Sequence, residues 1–187
     1  MDPVANLERA FDAAHAVIQG VPADKWTAQS PCSEWDARGV AAHLIGGAMM
    51  LEVCVPGNAF DHKSLEGDVL GADPAATYRK AADAAVAVFR NDPSVFGRPV
   101  TMPFGEMPGS MVAGIFTIDH FTHAWDLAKA TGQSTDLDPE FAADLLGAAQ
   151  QFVGPDLRKP GLFDAEQEAP TNATAADRVA AYLGRAV

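Results

Sequence analysis

The chain has 187 residues, of which 48% are apolar and 20% are charged. This length suits one domain, and the composition excludes a mainly disordered, collagenous or coiled-coil protein. The formal net charge of −12 repels phosphate groups and anionic lipids, so we expect neither a nucleic acid nor a membrane as partner.

Six segments carry apolar residues every three or four positions, which is the spacing of one face of a helix. The predicted helices run from Leu7 to Gly20, Glu34 to Val55, Asp73 to about Arg90, Ser110 to Thr131, Asp138 to Phe152 and Ala175 to about Arg185. Ser33 with Asp36 resembles a capping box before the second helix, and Thr174 with Asp177 resembles one before the sixth.

Two connections between these helices are long. We predict an ordered loop between Val95 and Ser110, because its three prolines exclude a central strand, although a small hairpin stays open. The segment from Asn58 to Asp73 is longer than most helix connections and could wall a pocket. The sequence therefore predicts an all-α fold, a four-helix bundle with additional C-terminal helices, in which residues 1–187 form a single domain.

A carboxylate and an imidazole interrupt the apolar face of the fourth helix. At about 100° per residue, Asp119 and His123 fall within about 20° of Val112, at the centre of that face. On the second helix His43 lies about 60° from Val40, which still places it inward. Since facing side chains at matched heights build metal sites in helix bundles, these three form a candidate divalent-metal site. Two histidines and one carboxylate suit zinc first, with nickel and iron as alternatives.

The same pattern also has a plainer explanation. Asp119 and His123 could hydrogen-bond to each other one turn apart, with His43 as an ordinary core histidine. Asp126, one turn beyond His123, could orient a ligand imidazole or pair with a surface lysine. His120, at the margin of the apolar face, could support proton transfer or simply pack. We take Asp126 and His120 as the candidate catalytic residues.

Other polar and aromatic residues are predicted to lie outside the site. Cys54 is about 16 Å along the helix axis from His43, and Cys32 has no base near it in the sequence. We expect His15 and His62 on the surface and the tryptophans as core or interface residues.

Two further expectations concern location and assembly. Two cysteines and an N-terminus without the pattern of a signal peptide predict a cytoplasmic protein. The fourth helix carries a second apolar face, formed by Ile118, Phe121 and Trp125, which needs cover from extra helices or from the second copy of a homodimer.

Three motifs resemble a known family. They are Ser30-Pro31-Cys32-Ser33-Glu34-Trp35-Asp36-Ala37-Arg38, His43-Leu44-Ile45-Gly46-Gly47, and Asp119-x-x-x-His123-Ala124-Trp125-Asp126. With them the chain resembles the DinB/YfiT-like metalloprotein superfamily, in the branch that contains the N-terminal domain of mycothiol-dependent maleylpyruvate isomerase. The resemblance covers roughly the first 135 residues.

The resemblance implies both a cofactor and a chemistry. It implies a divalent metal, commonly zinc or nickel, held by the residues that match its motif, which are His43, Asp119 and His123. It further implies a transferase or isomerase in which the metal activates a low-molecular-weight thiol, such as mycothiol, toward a small-molecule substrate. The alternative is a non-catalytic bundle that binds or sequesters a small ligand.

Overall fold

The structure is a computed structural model that describes residues 2–33, 35–158 and 163–187. Its helices are α1 (Pro3–Gln19), α2 (Ala37–Cys54), α3 (Pro74–Asn91), α4 (Gly109–Thr131), α5 (Pro139–Phe152) and α6 (Ala175–Tyr182). Two short strands, β1 (Pro99–Met102) and β2 (Gly105–Pro108), precede α4, and 3₁₀ turns lie at His62–Leu65, Pro93–Gly97 and Pro155–Leu157. The predicted all-α bundle is confirmed.

Side-chain caps decide where several helices begin. The Asp36 carboxylate accepts a hydrogen bond from the backbone N–H of Gly39 at 2.8 Å, so Asp36 is the N-cap of α2. The predicted start at Glu34 and the Ser33 capping box are therefore wrong for α2, and Glu34 itself lies outside the described residues. The second predicted capping box is confirmed, because Thr174 and Asp177 exchange hydrogen bonds at the start of α6.

The first four helices form the bundle. Helix α1 packs against α3 and α4, and α2 packs against the same two helices on the other side. The core between them is apolar, and its largest fully buried side chains include Phe11, Leu44, Tyr78, Phe89 and Leu127. Burying such side chains is the main stabilising contribution to a bundle of this kind. The bundle also brings the inward faces of α2 and α4 together.

The C-terminal helices cover the second apolar face of α4. Ile118, Phe121 and Trp125 pack in a cluster with Phe141 of α5 and residues of α6. The Trp125 indole N–H donates a hydrogen bond to an Asp177 carboxylate oxygen at 2.8 Å, which satisfies the one polar atom of this buried ring. Two helices of the same chain thus provide the cover that the sequence required.

The segment between Val95 and Ser110 contains a hairpin, where we predicted a loop. Strands β1 and β2 pair antiparallel, from Pro99 opposite Pro108 to Met102 opposite Gly105. The prolines that argued against a strand sit at the open end and in the turn, where a missing N–H breaks no interior pair of the ladder. Val100 and Met102 point into the core, so one face of the hairpin is buried.

Helix α2 is long and apolar enough, by length and composition alone, to cross a membrane. However, 56% of its residues are buried inside the bundle, and the core helix of a globular protein meets the same criterion. This helix is weak evidence for a membrane span.

Candidate metal centre

Helices α2 and α4 bring the three predicted ligands together. His43 projects from α2, while Asp119 and His123 project from α4 one turn apart. His43 Nε2 lies 3.1 Å from each of the two Asp119 carboxylate oxygens. His123 Nε2 lies 3.6 Å from Asp119 Oδ1. One ligand atom from each residue falls within 4.8 Å of the other two.

These separations suit a small divalent cation. Zinc bonds to nitrogen and oxygen of about 2.0–2.2 Å in a tetrahedron place neighbouring ligand atoms roughly 3.3 Å apart. The two measured separations from Asp119, 3.1 and 3.6 Å, lie on either side of that value. Two imidazoles and a carboxylate are also an ordinary donor set for such ions. The residues present therefore fit a metal.

The centre is open on one side. The side chains of His43 and Asp119 are 32% and 28% exposed, whereas that of His123 is only 10% exposed. The accessible side is continuous with a cavity of about 260 Å³ that His43 and Asp119 themselves line. Three ligands with an open face are typical of catalytic rather than structural sites, because a further position stays free for water or substrate.

Without a cation the three residues form a charged pair with a neighbouring imidazole. Burial opposes the charged form of His43 and would lower its pKa. The attraction and hydrogen bonds of the Asp119 carboxylate are stronger than this effect and raise the pKa of His43. Burial would likewise raise the pKa of Asp119, but the nearby His43 and His123 hold the pKa of this carboxyl well below its usual range. Asp119 is thus ionised across the whole physiological range.

Asp126 lies behind His123 and holds its ring. His123 Nδ1 is 2.9 Å from Asp126 Oδ2, so His123 Nε2 is the nitrogen left to face the centre. The fully buried Asp126 carboxylate also accepts two hydrogen bonds from Arg185, at 3.0 and 3.3 Å. Although burial opposes it, these contacts lower the pKa of Asp126. Asp126 is therefore placed to orient the His123 ring.

Sequence reasoning missed Arg185, which we had assigned only to the end of the last helix. Helix α6 ends at Tyr182, and the chain after it brings the guanidinium back to α4. The available signal was that a buried carboxylate of α4 needs a positively charged side chain as partner. Arg185 is one of the few basic residues in the C-terminal segment.

His120 is not part of the triad. Its ring is fully buried, packs 4.4 Å from the ring of Phe11 and pairs through Nδ1 with the Tyr78 hydroxyl at 2.8 Å. Burial lowers the pKa of His120 to about 3, so the ring is neutral at physiological pH. Among the described residues no hydrogen-bond partner meets its Nε2, which lies 3.1 Å from where a β-carbon on Gly47 would stand. The structure places His120 beneath the wall of the cavity.

Trp35, which we predicted to be a core or interface residue, packs against two of the three candidate ligands. Its ring stacks on His43 with centroids 4.6 Å apart and planes inclined by 30°, and it lies 5.4 Å from the ring of His123. The tryptophan thus shields one side of both imidazoles. Its position inside the first motif, just before α2, was the available signal.

Of the remaining candidates, Cys54 and His62 lie where they were predicted, whereas His15 is less exposed than predicted. Cys54 is buried in the core near the end of α2. His62 is exposed on the 3₁₀ turn, where its ring contacts Phe60. His15 is half-buried on α1. None of them belongs to the cluster of ligand atoms that the described part of the chain forms around Asp119.

The chain is similar in sequence to a known family and to two known proteins. The family model described as mycothiol maleylpyruvate isomerase N-terminal domain matches residues 7–128, a span that contains the triad and Asp126. Two uncharacterized proteins of Mycobacterium tuberculosis, from strains CDC 1551 / Oshkosh and ATCC 25618 / H37Rv, are each 39% identical over 188 aligned residues. These alignments cover 100% of this chain and 100% of each relative. No solved structure matches the chain.

Proposed function

Because the chain belongs to the mycothiol maleylpyruvate isomerase N-terminal domain family, which is DinB/YfiT-like, we propose that it is a metal-dependent protein that uses a thiol. His43, Asp119 and His123 bind a divalent cation, zinc in the first place, with nickel and iron as alternatives. The reaction is a transfer or isomerisation that employs a low-molecular-weight thiol such as mycothiol and a small-molecule substrate. The protein acts in the cytoplasm, where such thiols stay reduced.

One observation carries this proposal. Three ligand atoms from two helices converge within 4.8 Å, and the side of the cluster formed by His43 and Asp119 faces a cavity. Asp119 and His43 alone satisfy each other's hydrogen bonding. A hydrogen-bonded core network would therefore need neither His123 nearby nor a cavity beside the cluster.

Three of these residues bind the cation, and two others orient or shield the ligands. A divalent cation held by these residues would supply Lewis acidity, which favours the deprotonated form of a thiol at neutral pH. Asp119 contributes the one formal negative charge among the ligands. Asp126 keeps the proton on His123 Nδ1 and so leaves the Nε2 lone pair free for coordination. Trp35 limits the access of water to both imidazoles from one side.

The experiment that tests metal binding is the metal content of purified, untagged protein, measured by inductively coupled plasma mass spectrometry. We expect close to one equivalent of a divalent metal in the wild type and its loss in His43→Ala, Asp119→Ala and His123→Ala. The matched control is His62→Ala, which removes an exposed histidine and should leave the content unchanged. Wild-type protein that holds no metal and takes up neither Zn²⁺ nor Ni²⁺ would refute the proposal.

The thiol is tested separately on protein reconstituted with Co²⁺, whose absorption spectrum reports its ligands. Adding mycothiol should produce a sulfur-to-cobalt charge-transfer band in the wild type. A spectrum that does not respond to mycothiol contradicts the thiol assignment and leaves the metal assignment standing.

A second candidate function is binding of a small ligand without catalysis. The observation in its favour is the apolar lining of the cavity next to the triad. The two candidates differ in turnover: a binding protein saturates with its ligand, whereas an enzyme continuously converts its small-molecule substrate.

A further inference from the structure

The cavity beside the triad is formed by four parts of the chain. Its walls come from α2, from α4, from the tip of the β-hairpin and from the 3₁₀ turn His62–Leu65. The segment from Asn58 to Asp73 thus walls a pocket, as its length suggested, through Leu65. Gly46 allows this closure, because a β-carbon there would lie 3.1 Å from Leu65 Cδ2.

The lining of this cavity is almost entirely apolar. The large side chains that face it are Met50, Leu65, Phe104, Ile115 and Phe116. Its ionisable lining residues in the described part of the chain are His43 and Asp119, the two candidate ligands, and neither Lys nor Arg lines it. Lys63, two residues from Leu65, is exposed and lies outside the lining.

This chemistry selects against carboxylates. An anion entering the cavity would lose its hydration without gaining a lysine or arginine side chain as partner among the described lining residues. An uncharged apolar molecule loses little hydration and gains contact with the aromatic and aliphatic walls. The exposed ring of Phe104, 56% accessible at the rim, would gain cover from such a molecule.

The volume limits the size of the molecule. A buried apolar cavity of about 150 Å³ accommodates benzene, and this cavity measures about 260 Å³. It therefore suits a molecule of roughly ten non-hydrogen atoms.

We propose that this cavity binds the second substrate, and that this substrate is an uncharged, largely apolar organic molecule of roughly ten non-hydrogen atoms. As a substrate assignment this rests on the proposed function, because the cavity adjoins the candidate ligands His43 and Asp119. As a binding assignment it rests only on the lining and the volume.

The test compares two ligands that differ in charge. Methyl benzoate is uncharged and has ten non-hydrogen atoms, while benzoate has nearly the same shape and carries a carboxylate. Their dissociation constants are measured by isothermal titration calorimetry on the wild-type protein, both stripped of metal by a chelator and reconstituted with Zn²⁺. In the metal-free protein we expect the ester to bind at least tenfold more tightly than benzoate.

Two variants locate the binding site. Phe104→Arg places a guanidinium at the rim of the cavity and should lower the preference for the ester at least tenfold, because benzoate gains a partner there. Met111→Arg adds the same charge at a position of α4 that is 43% exposed and outside the lining, so its preference should match that of the wild type. Both positions are exposed, and thermal unfolding checks that each variant folds.

Equal affinities for the two ligands in the metal-free wild type would overturn the proposal, and so would a preference for the ester that Phe104→Arg leaves unchanged. Failure of the proposed function is distinguishable from both results. A protein that holds no metal but binds the ester in this cavity contradicts the function and leaves the binding assignment intact.

Discussion

Replacing Asp126 by Asn should weaken metal binding without touching a ligand. The carboxylate accepts hydrogen bonds from both His123 Nδ1 and Arg185, and Asn has nearly the same shape. Both His123 Nδ1 and one Arg185 N–H bond to Asp126 Oδ2, while Arg185 Nε bonds to Oδ1. The neutral amide is a weaker acceptor for His123 than the carboxylate and leaves Arg185 without a counter-charge.

The expected magnitudes follow from this burial. Removing the carboxylate that orients a metal-bound histidine lowers metal affinity by about 10- to 100-fold. Breaking a buried ion pair by changing one partner costs about 3–5 kcal/mol. The Arg185 side chain keeps 15% exposure, so we expect the lower value, about 3 kcal/mol, which corresponds to a fall of roughly 6–12 °C in the melting temperature.

The assays are zinc affinity, by competition with a chromophoric chelator, and urea unfolding of the metal-free protein. The matched control is Asp83→Asn, which disrupts an exposed ion pair with Arg79 and should change stability by less than about 1 kcal/mol. Zinc affinity within threefold of the wild type in Asp126→Asn would refute the reasoning, since the His123 orientation would then not depend on this carboxylate.

Three further predictions concern pH, a buried hydrogen bond and two glycines. As pH falls, protons compete with zinc for His43. Because the pKa of His43 is raised, this loss of zinc uptake should begin at a pH above the ordinary histidine pKa of about 6.5. In the metal-free protein the charged pair should stabilise the fold fully below about pH 6.5 and lose this effect as pH rises through the folded pKa of His43, measured by urea unfolding against His43→Ala. Tyr78→Phe should cost about 1–3 kcal/mol in urea unfolding, because it deprives His120 Nδ1 of its partner, and metal content should not change; a loss of metal would show that His120 supports the centre. Gly109→Ala should destabilise the protein by about 2 kcal/mol, because the new β-carbon would lie 2.2 Å from a backbone oxygen. Gly114→Ala, in open space on the same helix, should stabilise it by about 0.5–1 kcal/mol, and thermal melts in which the two variants behave alike would contradict this assignment.

The helices and the candidate ligands were predictable from local pattern. Helix periodicity places Asp119 and His123 on one face of α4, and it places His43 inward on α2 before any contact between the helices is known. Caps such as Thr174 act within a few residues, so their effect is readable from short segments. The errors at Ser33 and Val95–Ser110 arose where two local signals competed and packing decided between them.

What lies behind and beside the ligands depends on tertiary structure. Arg185 reaches Asp126 across 59 positions of the chain, and Trp35 meets His123 only after the loop before α2 has packed against α4. The cavity likewise depends on the hairpin tip and on Leu65 closing over α2. Such contacts leave no periodic trace, because they join segments whose separation along the chain is unrelated to their separation in space. The sequence by itself therefore determined the helices and the identity of the candidate ligands, while only the packing of distant segments decided how those side chains are held and what they face.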